Sequence, residues 1–427
     1  MHEIKTQKFT EDTISIRWFT DLDRKTITAW NLLTLLMSGR TEKYDTRQAL
    51  SAAASHAYGM RAGYGLMGYG DRLMVEYRLS AIRPKLVGDA GYEDEVLEIM
   101  DQSLHHPLFR QEFLDEARYL LKNRLVSMMQ DPDSRALSEA LKAAGKGSRL
   151  EIQMQGYLED LDDITLDDLQ SLYDSLKTLP SQTLAVGDLS PKAAAWLEKH
   201  YPGQTLKSSW KALKAAQVPA EVVLEKEISQ SSLVQVYETG ILPQDPDYYT
   251  LLVLNSLLGS SSVSLLFEII REKHSYCYSI ASSLVRFDGA LLISTATDRA
   301  HLEDVKRLIA KIIEDVKDEK FSDDTFETVK LELCDTLAGQ KDSPAGMMEQ
   351  EFLNEVLQRP ITAGQIQEKI RAVTRHDVAR AAGYMKLAAS AELVQKEEQE
   401  AELDQDQDGA QPLIQANAKP EDKEGSE

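Results

Sequence analysis

Apolar and polar positions along the chain follow one pattern, and the chain states it twice. The first statement opens at residues 13–19, TISIRWF, where apolar and polar side chains alternate as in a half-buried strand. A turn at 21–25 follows. Then Ile27–Met37 reads ITAWNLLTLLM, apolar almost all round and ended by Ser38 and Gly39, which predicts a buried helix. The second statement opens with a strand at 233–239, turns at 243–247 and enters an apolar helix at 248–258, ended by Gly259. Two strand-like stretches come next in each. In the first they flank the glycines of 58–70, and the later one is 72–79. In the second they are 276–284 and Ala290–Thr297, separated by 287–289.

Long amphipathic helices are predicted after these strands, at 93–104 and 111–129 and again at 301–316 and 323–337. Each statement then closes on a capped helix. Thr165 precedes LDDLQSLYDSL with Asp168 at the third helical position, and Thr374 precedes RHDVARAAGYM with Asp377 at the same place. A hydroxyl before the helix accepts a free backbone N–H, and a carboxylate in the first turn complements the helix dipole. Ser190 and Pro191 start one more helix, which stops near Pro202 and Gly203. Strands followed by helix pairs, twice over, predict an α+β protein of two domains, 1–205 and 220–395, with each sheet covered by helices. The join falls within 201–222. Residues 396–427 are rich in Glu, Asp and Gln, nearly free of large apolar side chains, and expected to be disordered.

Composition narrows the function. The 427 residues carry a formal charge of -22, which argues against nucleic-acid or anionic-membrane partners, because phosphate would be repelled. Such a surface suits basic peptides, although acidic residues on a solvated face are the commoner explanation. The two cysteines, Cys277 and Cys334, make no disulfide framework and no C-x-x-C motif. The start, MHEIKTQKFTEDT, is too polar for a signal peptide, and Ile27–Met37 is too short to span a bilayer. A soluble cytoplasmic protein is expected.

Several residues invite a chemical reading. The run from Gly63 through Gly65 to Gly68 matches G-x-G-x-x-G, but a strand follows it where a dinucleotide fingerprint needs a helix. Glycines at turns and bulges of a sheet explain it better. The hydroxyls after Gly259 lack the lysine of a phosphate loop and are expected to cap the next helix. His105 and His106 are adjacent, do not share a helix face, and are expected to be solvated. His56, His274 and His376 have no acidic partner at ligand spacing. Arg271 and Tyr278 are more telling, seven residues apart within 267–278, FEIIREKHSYCY. An arginine can fork onto a peptide carbonyl or carboxylate, and a tyrosine hydroxyl can donate to a developing oxyanion. The plainer alternative pairs Arg271 with Glu268 or Glu272 and lets Tyr278 fill a strand face. Tyr276 is a rival for the tyrosine role.

The frame around that pair, SLLFEIIREKHSYCYS, resembles the arginine–tyrosine element of M16 (insulinase/pitrilysin-like) metallopeptidases. The resemblance runs from about residue 13 to 387 and implies two homologous LuxS/MPP-like domains. Active members carry an inverted zinc motif, H-x-x-E-H, on an early helix of the first repeat. This chain has neither H-x-x-E-H nor H-E-x-x-H. If Ser38 and Gly39 match the end of the family motif, Trp30 stands at the first histidine, Leu33 at the catalytic glutamate and Thr34 at the second histidine. The later acidic ligand would fall near Arg124 or Leu125. None of these can bind zinc as the family does, so the resemblance implies a non-catalytic member with no metal and no cofactor.

In motif order and missing ligands the chain is similar to the M16 group associated with 5-aminopentanol modification of elongation factor P. In the family, two such two-domain halves enclose a peptide chamber. One half carries zinc, and the other presents arginine and tyrosine from its second domain. The resemblance therefore implies a heterodimer with an H-x-x-E-H partner, in which Arg271 and Tyr278 contact substrate in trans. The partner is a different M16 chain or a second copy of this one. The alternative is a non-proteolytic, peptide-binding scaffold. No constellation supports an independent enzyme of another class.

Overall fold

Two five-stranded sheets carry the chain, and both are built in the same order. The first half runs β1 (His2–Lys5), β2 (Glu11–Asp21), α1 (Ile27–Met37), α2 (Arg47–His56), β3 (Arg61–Tyr69), β4 (Arg72–Ile82), α3 (Tyr92–His105), α4 (Gln111–Gln130), α5 (Pro132–Ala144), α6 (Leu166–Leu176), β5 (Ser181–Gly187) and α7 (Pro191–His200). The second runs β6 (Ala220–Lys226), β7 (Ser231–Glu238), α8 (Tyr248–Asn255), β8 (Cys277–Val285), β9 (Ala290–Thr297), α9 (Leu302–Lys317), α10 (Asp323–Gly339), α11 (Pro344–Val356), α12 (Ala363–Ala372), α13 (Arg375–Gly383) and β10 (Lys386–Gln395). This computed structural model describes residues 1–204 and 210–396. Part of the expected join, and the expected disordered tail apart from Lys396, lie outside the described residues.

The strand orders are β1-β5-β2-β4-β3 and β6-β10-β7-β9-β8. In each sheet the first pair is parallel and the rest antiparallel. The repeat read from the sequence is thus an α+β unit used twice. The alternation in β2 has the expected meaning on one face, where Ile14, Ile16 and Trp18 enter the first core. The opposite face, with Ser15, Arg17 and Phe19, is buried as well.

What buries it is a helix from the other half. On α11, Met348, Phe352 and Val356 pack against Phe19, Leu184 and Val186 of the first sheet, with the Phe352 and Phe19 rings stacked at 5.8 Å. The exchange is reciprocal. On α5, Ala136 and Ala140 sit against Val234, Val236, Ala391 and Leu393 of the second sheet. Both helices start the same way. Asp131 caps Pro132 by accepting from Ser134 N at 2.9 Å, and Ser343 caps Pro344 by accepting from Gly346 N at 3.0 Å. Gly346 has to be glycine, because a Cβ there would lie 2.3 Å from the Gln340 carbonyl oxygen. Each sheet is covered by helices as expected, and in each case one of them comes from the other half. Periodicity shows that a helix has an apolar side but not which sheet receives it.

The two sheets also meet at their hairpin ends. Gly70 takes a left-handed turn (φ +59°) between β3 and β4, and Tyr69 meets Phe287, edge to face, at 5.0 Å. Trp210 wedges beside them, its Nε1 donating to Tyr69 O at 3.2 Å. A Cβ on Gly70 would fall 2.6 Å from that indole. Asp288 sits at this seam, where burial and the nearby Asp71 push its carboxyl up to about 6. The folded-state pKa lies above the unfolded value, so folding takes up a proton between about pH 4 and 6 and stability rises as pH falls through that window. Asp288→Asn is expected to raise stability at pH 7.5 by about 2 kcal/mol, with the gain vanishing near pH 4. Thermal melts of both proteins across pH check this. An equal gain at both ends would contradict it.

Candidate functional site

Helix α1 is apolar on every side because every side is covered. Trp30, Leu33 and Leu36 are at most 4% exposed, and Thr34 is 9% exposed. Its polar groups are used for structure. Thr28 Oγ1 donates to Asp160 at 2.6 Å, Asn31 Nδ2 donates to the Ile27 and Met154 carbonyls, both at 2.9 Å, and Thr34 Oγ1 donates back to Asn31 O at 2.9 Å. Leu125 of α4 is buried in the same cluster as Trp30 and Leu33, whereas Arg124 points to solvent. Three of the positions that would correspond to zinc ligands and the catalytic glutamate, Trp30, Leu33 and Leu125, thus share one hydrocarbon and indole core.

A zinc ion does not fit these residues. It needs imidazole nitrogens or carboxylate oxygens within about 2.2 Å, and an indole, two isobutyl groups and an internally bonded hydroxyl supply none. Among the described residues no three His, Cys, Asp or Glu side chains converge to hold a metal. Purified alone, the chain is expected to bind no stoichiometric zinc and to cleave no peptide. Elemental analysis finding one tightly held zinc per chain would overturn that expectation.

The arginine–tyrosine element is built differently. The helix after α8 continues as a wide, π-helical turn at Ser256–Ser260, and a second such turn, Phe267–Lys273, carries Arg271. Ile270 anchors this turn in the core. Ser275 ends it in a left-handed conformation (φ +55°), its N–H donating to Arg271 O at 3.0 Å. Strand β8 then starts, with its pairing to β9 shifted between Cys277 and Ile280. Such an irregularity re-aims side chains, and here Tyr278 stands 82% exposed. Arg271 Nε donates to the Tyr278 carbonyl at 3.1 Å, so the guanidinium braces the backbone from which the phenol projects. Arg271 also pairs with Glu272, and its guanidinium lies 4.6 Å from the Phe267 ring centre.

One part of the plainer alternative thus appears in the structure, since Arg271 has Glu272 as an ion-pair partner. The other part does not, because Tyr278 fills no face. Tyr276 is occupied elsewhere, stacked on His301 at 4.4 Å. Burial pushes the Cys277 thiol up, so it remains a thiol rather than a thiolate nucleophile. Both cysteines are free.

Other expectations are corrected. Gly63, Gly65 and Gly68 lie inside edge strand β3 rather than between strands, and nothing comes within 4 Å of a Cβ built on Gly63 or Gly65. The serines after Gly259 cap no helix. Ser261 and Ser262 donate instead to Glu332, the latter at 2.6 Å, and hold its carboxyl below the usual range. His105 is not solvated. Its Nδ1 meets Asp101 at 2.8 Å, its Nε2 meets the Tyr201 hydroxyl at 3.0 Å, and its ring stacks on Tyr201. The i, i+4 spacing of Asp101 and His105 was a visible signal for the first contact. His56 and His376 do find acidic partners in space, Glu95 at 2.8 Å and Glu319 at 3.3 Å.

Residues 163–333 match the family described as peptidase M16 inactive domain, a span that contains the arginine–tyrosine element. The chain is similar to M16-family proteins over most of its length. It is similar to the probable inactive metalloprotease YmfF of Bacillus subtilis, 24% identical over 392 residues, 89% of this chain and 92% of that one. It is also similar to the uncharacterized zinc protease YmxG of the same organism, 22% identical over 265 residues, 61% of this chain and 64% of that one. A conserved protein from Enterococcus faecalis V583 shares its fold, with a TM-score of 0.85 and 24% identity over 92% of this chain and 96% of that one. The chain is thus similar to an inactive metalloprotease, and its sequence contains neither H-x-x-E-H nor H-E-x-x-H. No helix among the described residues is long and apolar enough to cross a membrane.

Proposed function

We propose that this chain is the non-catalytic half of a cytoplasmic two-chain peptidase. Residues 1–205 and 220–395 form its two domains, and it presents Arg271 and Tyr278 to the peptide chamber of an H-x-x-E-H partner. The observation that carries the reading is the exposed phenol of Tyr278, held out by a bulged strand and braced by Arg271. A large, half-apolar side chain left this open on a strand gains nothing from its own fold and suits a partner or substrate. The test is turnover per assembled complex in variants of the two residues, argued in the Discussion.

The resemblance to the group associated with elongation factor P supports a narrower reading, in which the complex serves 5-aminopentanol modification of that factor. Cells lacking this chain are then expected to accumulate elongation factor P without the 5-aminopentanol mass. An unchanged intact-mass spectrum would remove this pathway while leaving the peptidase reading in place.

A further inference from the structure

A second site lies where α11 crosses the edge of the first sheet. Strand β1 begins to pair with β5 only at Leu184, so Gln182 and Thr183 lie beyond its reach. The segment after α7 covers them, with Gln204 N donating to Ser181 O at 2.7 Å and Thr183 Oγ1 donating to Tyr201 O at 2.8 Å. From the opposite side α11 brings Glu351, Asn354 and Glu355. Between these walls is an open cavity of about 390 Å³.

Its chemistry is one-sided. Gln182 is 2% exposed, and its Nε2 donates to Glu355. That bond fixes the amide, because the NH₂ group and not the oxygen must face a carboxylate. Gln182 Oε1 is therefore turned away from Glu355, and it is a buried acceptor with no donor among the described residues. The cations near the cavity have other partners, including Arg17, which lies across the sheet from Gln182 and whose Nε donates to Ser15 and Glu76. The Met1 amine donates to Pro202 O and lies 3.8 Å from Glu198. His2 Nε2 lies 3.3 Å from Glu351, an ion pair only when the imidazole is protonated. The Arg359 guanidinium sits over the Tyr249 ring at 5.2 Å. Among the described residues, Glu355 has a neutral amide for a partner and no cation. Gln182, Glu351 and Glu355 all line this cavity, so charges and an unpartnered acceptor belong to its wall, and both call for a positively charged hydrogen-bond donor.

We propose that this cavity binds an organic cation bearing N–H groups, either a lysine or arginine side chain of a polypeptide or a free polyamine. One N–H donates to Gln182 Oε1 while the positive charge lies against Glu355 and Glu351. Two carboxylates and an amide oxygen are a poor set for a divalent metal, which takes six or more oxygens. The site is independent of the arginine–tyrosine element.

The full chain is titrated calorimetrically with N-acetyl-lysine N-methylamide, N-acetyl-arginine N-methylamide, spermidine, tetramethylammonium and Mg²⁺. At least one N–H cation is expected to bind one to one, and tetramethylammonium, which has the charge but no donor, at least tenfold more weakly. The tighter of the amino-acid amides or spermidine identifies the source. Glu355→Gln keeps an acceptor for Gln182 Nε2 and removes only charge. It is expected to weaken binding at least tenfold with an unchanged melting temperature, and Glu351→Gln to weaken it less. If Glu355→Gln melts early, the comparison rests on Glu351→Gln. The proposal is overturned by no binding of any N–H cation, by equal binding of tetramethylammonium, by tighter binding of Mg²⁺, or by carboxamide variants that bind like the parent.

Discussion

Tyr278→Phe and Arg271→Ala are each expected to cut the turnover of the assembled two-chain complex by about a hundredfold, the usual loss when one preorganised donor to a developing charge is removed. Assembly itself is expected to survive Tyr278→Phe, since the ring stays and only a hydroxyl on an exposed side chain is lost. Arg271→Ala is less clean. It removes the brace on the Tyr278 carbonyl, the pair with Glu272 and the contact with Phe267. Exposed ion pairs contribute little to stability, about 0–1 kcal/mol, so the fold should tolerate the change. The segment around Tyr278 should become less ordered, and the two substitutions should then combine to less than the product of their separate effects.

The competing scaffold reading gives a different result. If Arg271 only closes the turn before β8, Arg271→Ala lowers the melting temperature, and activity falls only in proportion to the complex that remains. Tyr278→Phe then does nothing. Measuring turnover per assembled complex separates the two, and unchanged turnover in both variants would leave the scaffold. A Tyr276→Phe control should be nearly silent in turnover, because that ring is engaged with His301 inside the chain.

Much of this architecture is legible in the order of residues. Helix α1 could be bounded to the residue because Ser38 and Gly39 mark its end. The capping boxes of α6 and α13 formed as Thr165 with Asp168 and Thr374 with Asp377 imply. What failed to show had physical reasons. Strand β5, SQTLAVG, is buried along nearly its whole length, so it lacks the alternation that marks a one-faced strand. Strand β10, KLAASAELVQ, is written in good helix formers and is a strand because both its neighbours pair with it. The exchanged helices α5 and α11 depend on contacts between residues more than ninety positions apart, which no local pattern encodes. Gln182 and Glu355 meet for the same reason, 173 residues apart in sequence. The Arg271–Tyr278 pair lies within one short segment. Spacing could propose it, but only the bulge at 277–280 shows which tyrosine projects.

Writing the family's metal motif back into α1 is expected to unfold the chain rather than to load it with zinc. Leu33 is 1% exposed and Trp30 is 3% exposed, both in the first core with Leu125. Replacing a buried leucine by a smaller or ill-fitting side chain costs about 2–5 kcal/mol, and a buried large aromatic about 3–5 kcal/mol. Leu33→Glu adds the burial of a carboxylate, several kcal/mol more unless it stays protonated. Domains are stable by about 5–15 kcal/mol in all, so Trp30→His, Leu33→Glu and Thr34→His together exceed what the fold can bear. Zinc binding would offset this only if the site were complete, and a catalytic site takes three protein ligands. The altered helix offers two imidazoles, and the later helix offers Leu125. Leu33→Met, which keeps the volume, is expected to cost under about 1.5 kcal/mol. Thr34→His alone, at the margin of the core, should cost less than the triple change. Circular dichroism melts with and without zinc decide the matter. A triple variant that melts like the parent and binds one zinc would mean that α1 is a site awaiting its ligands and not a core helix.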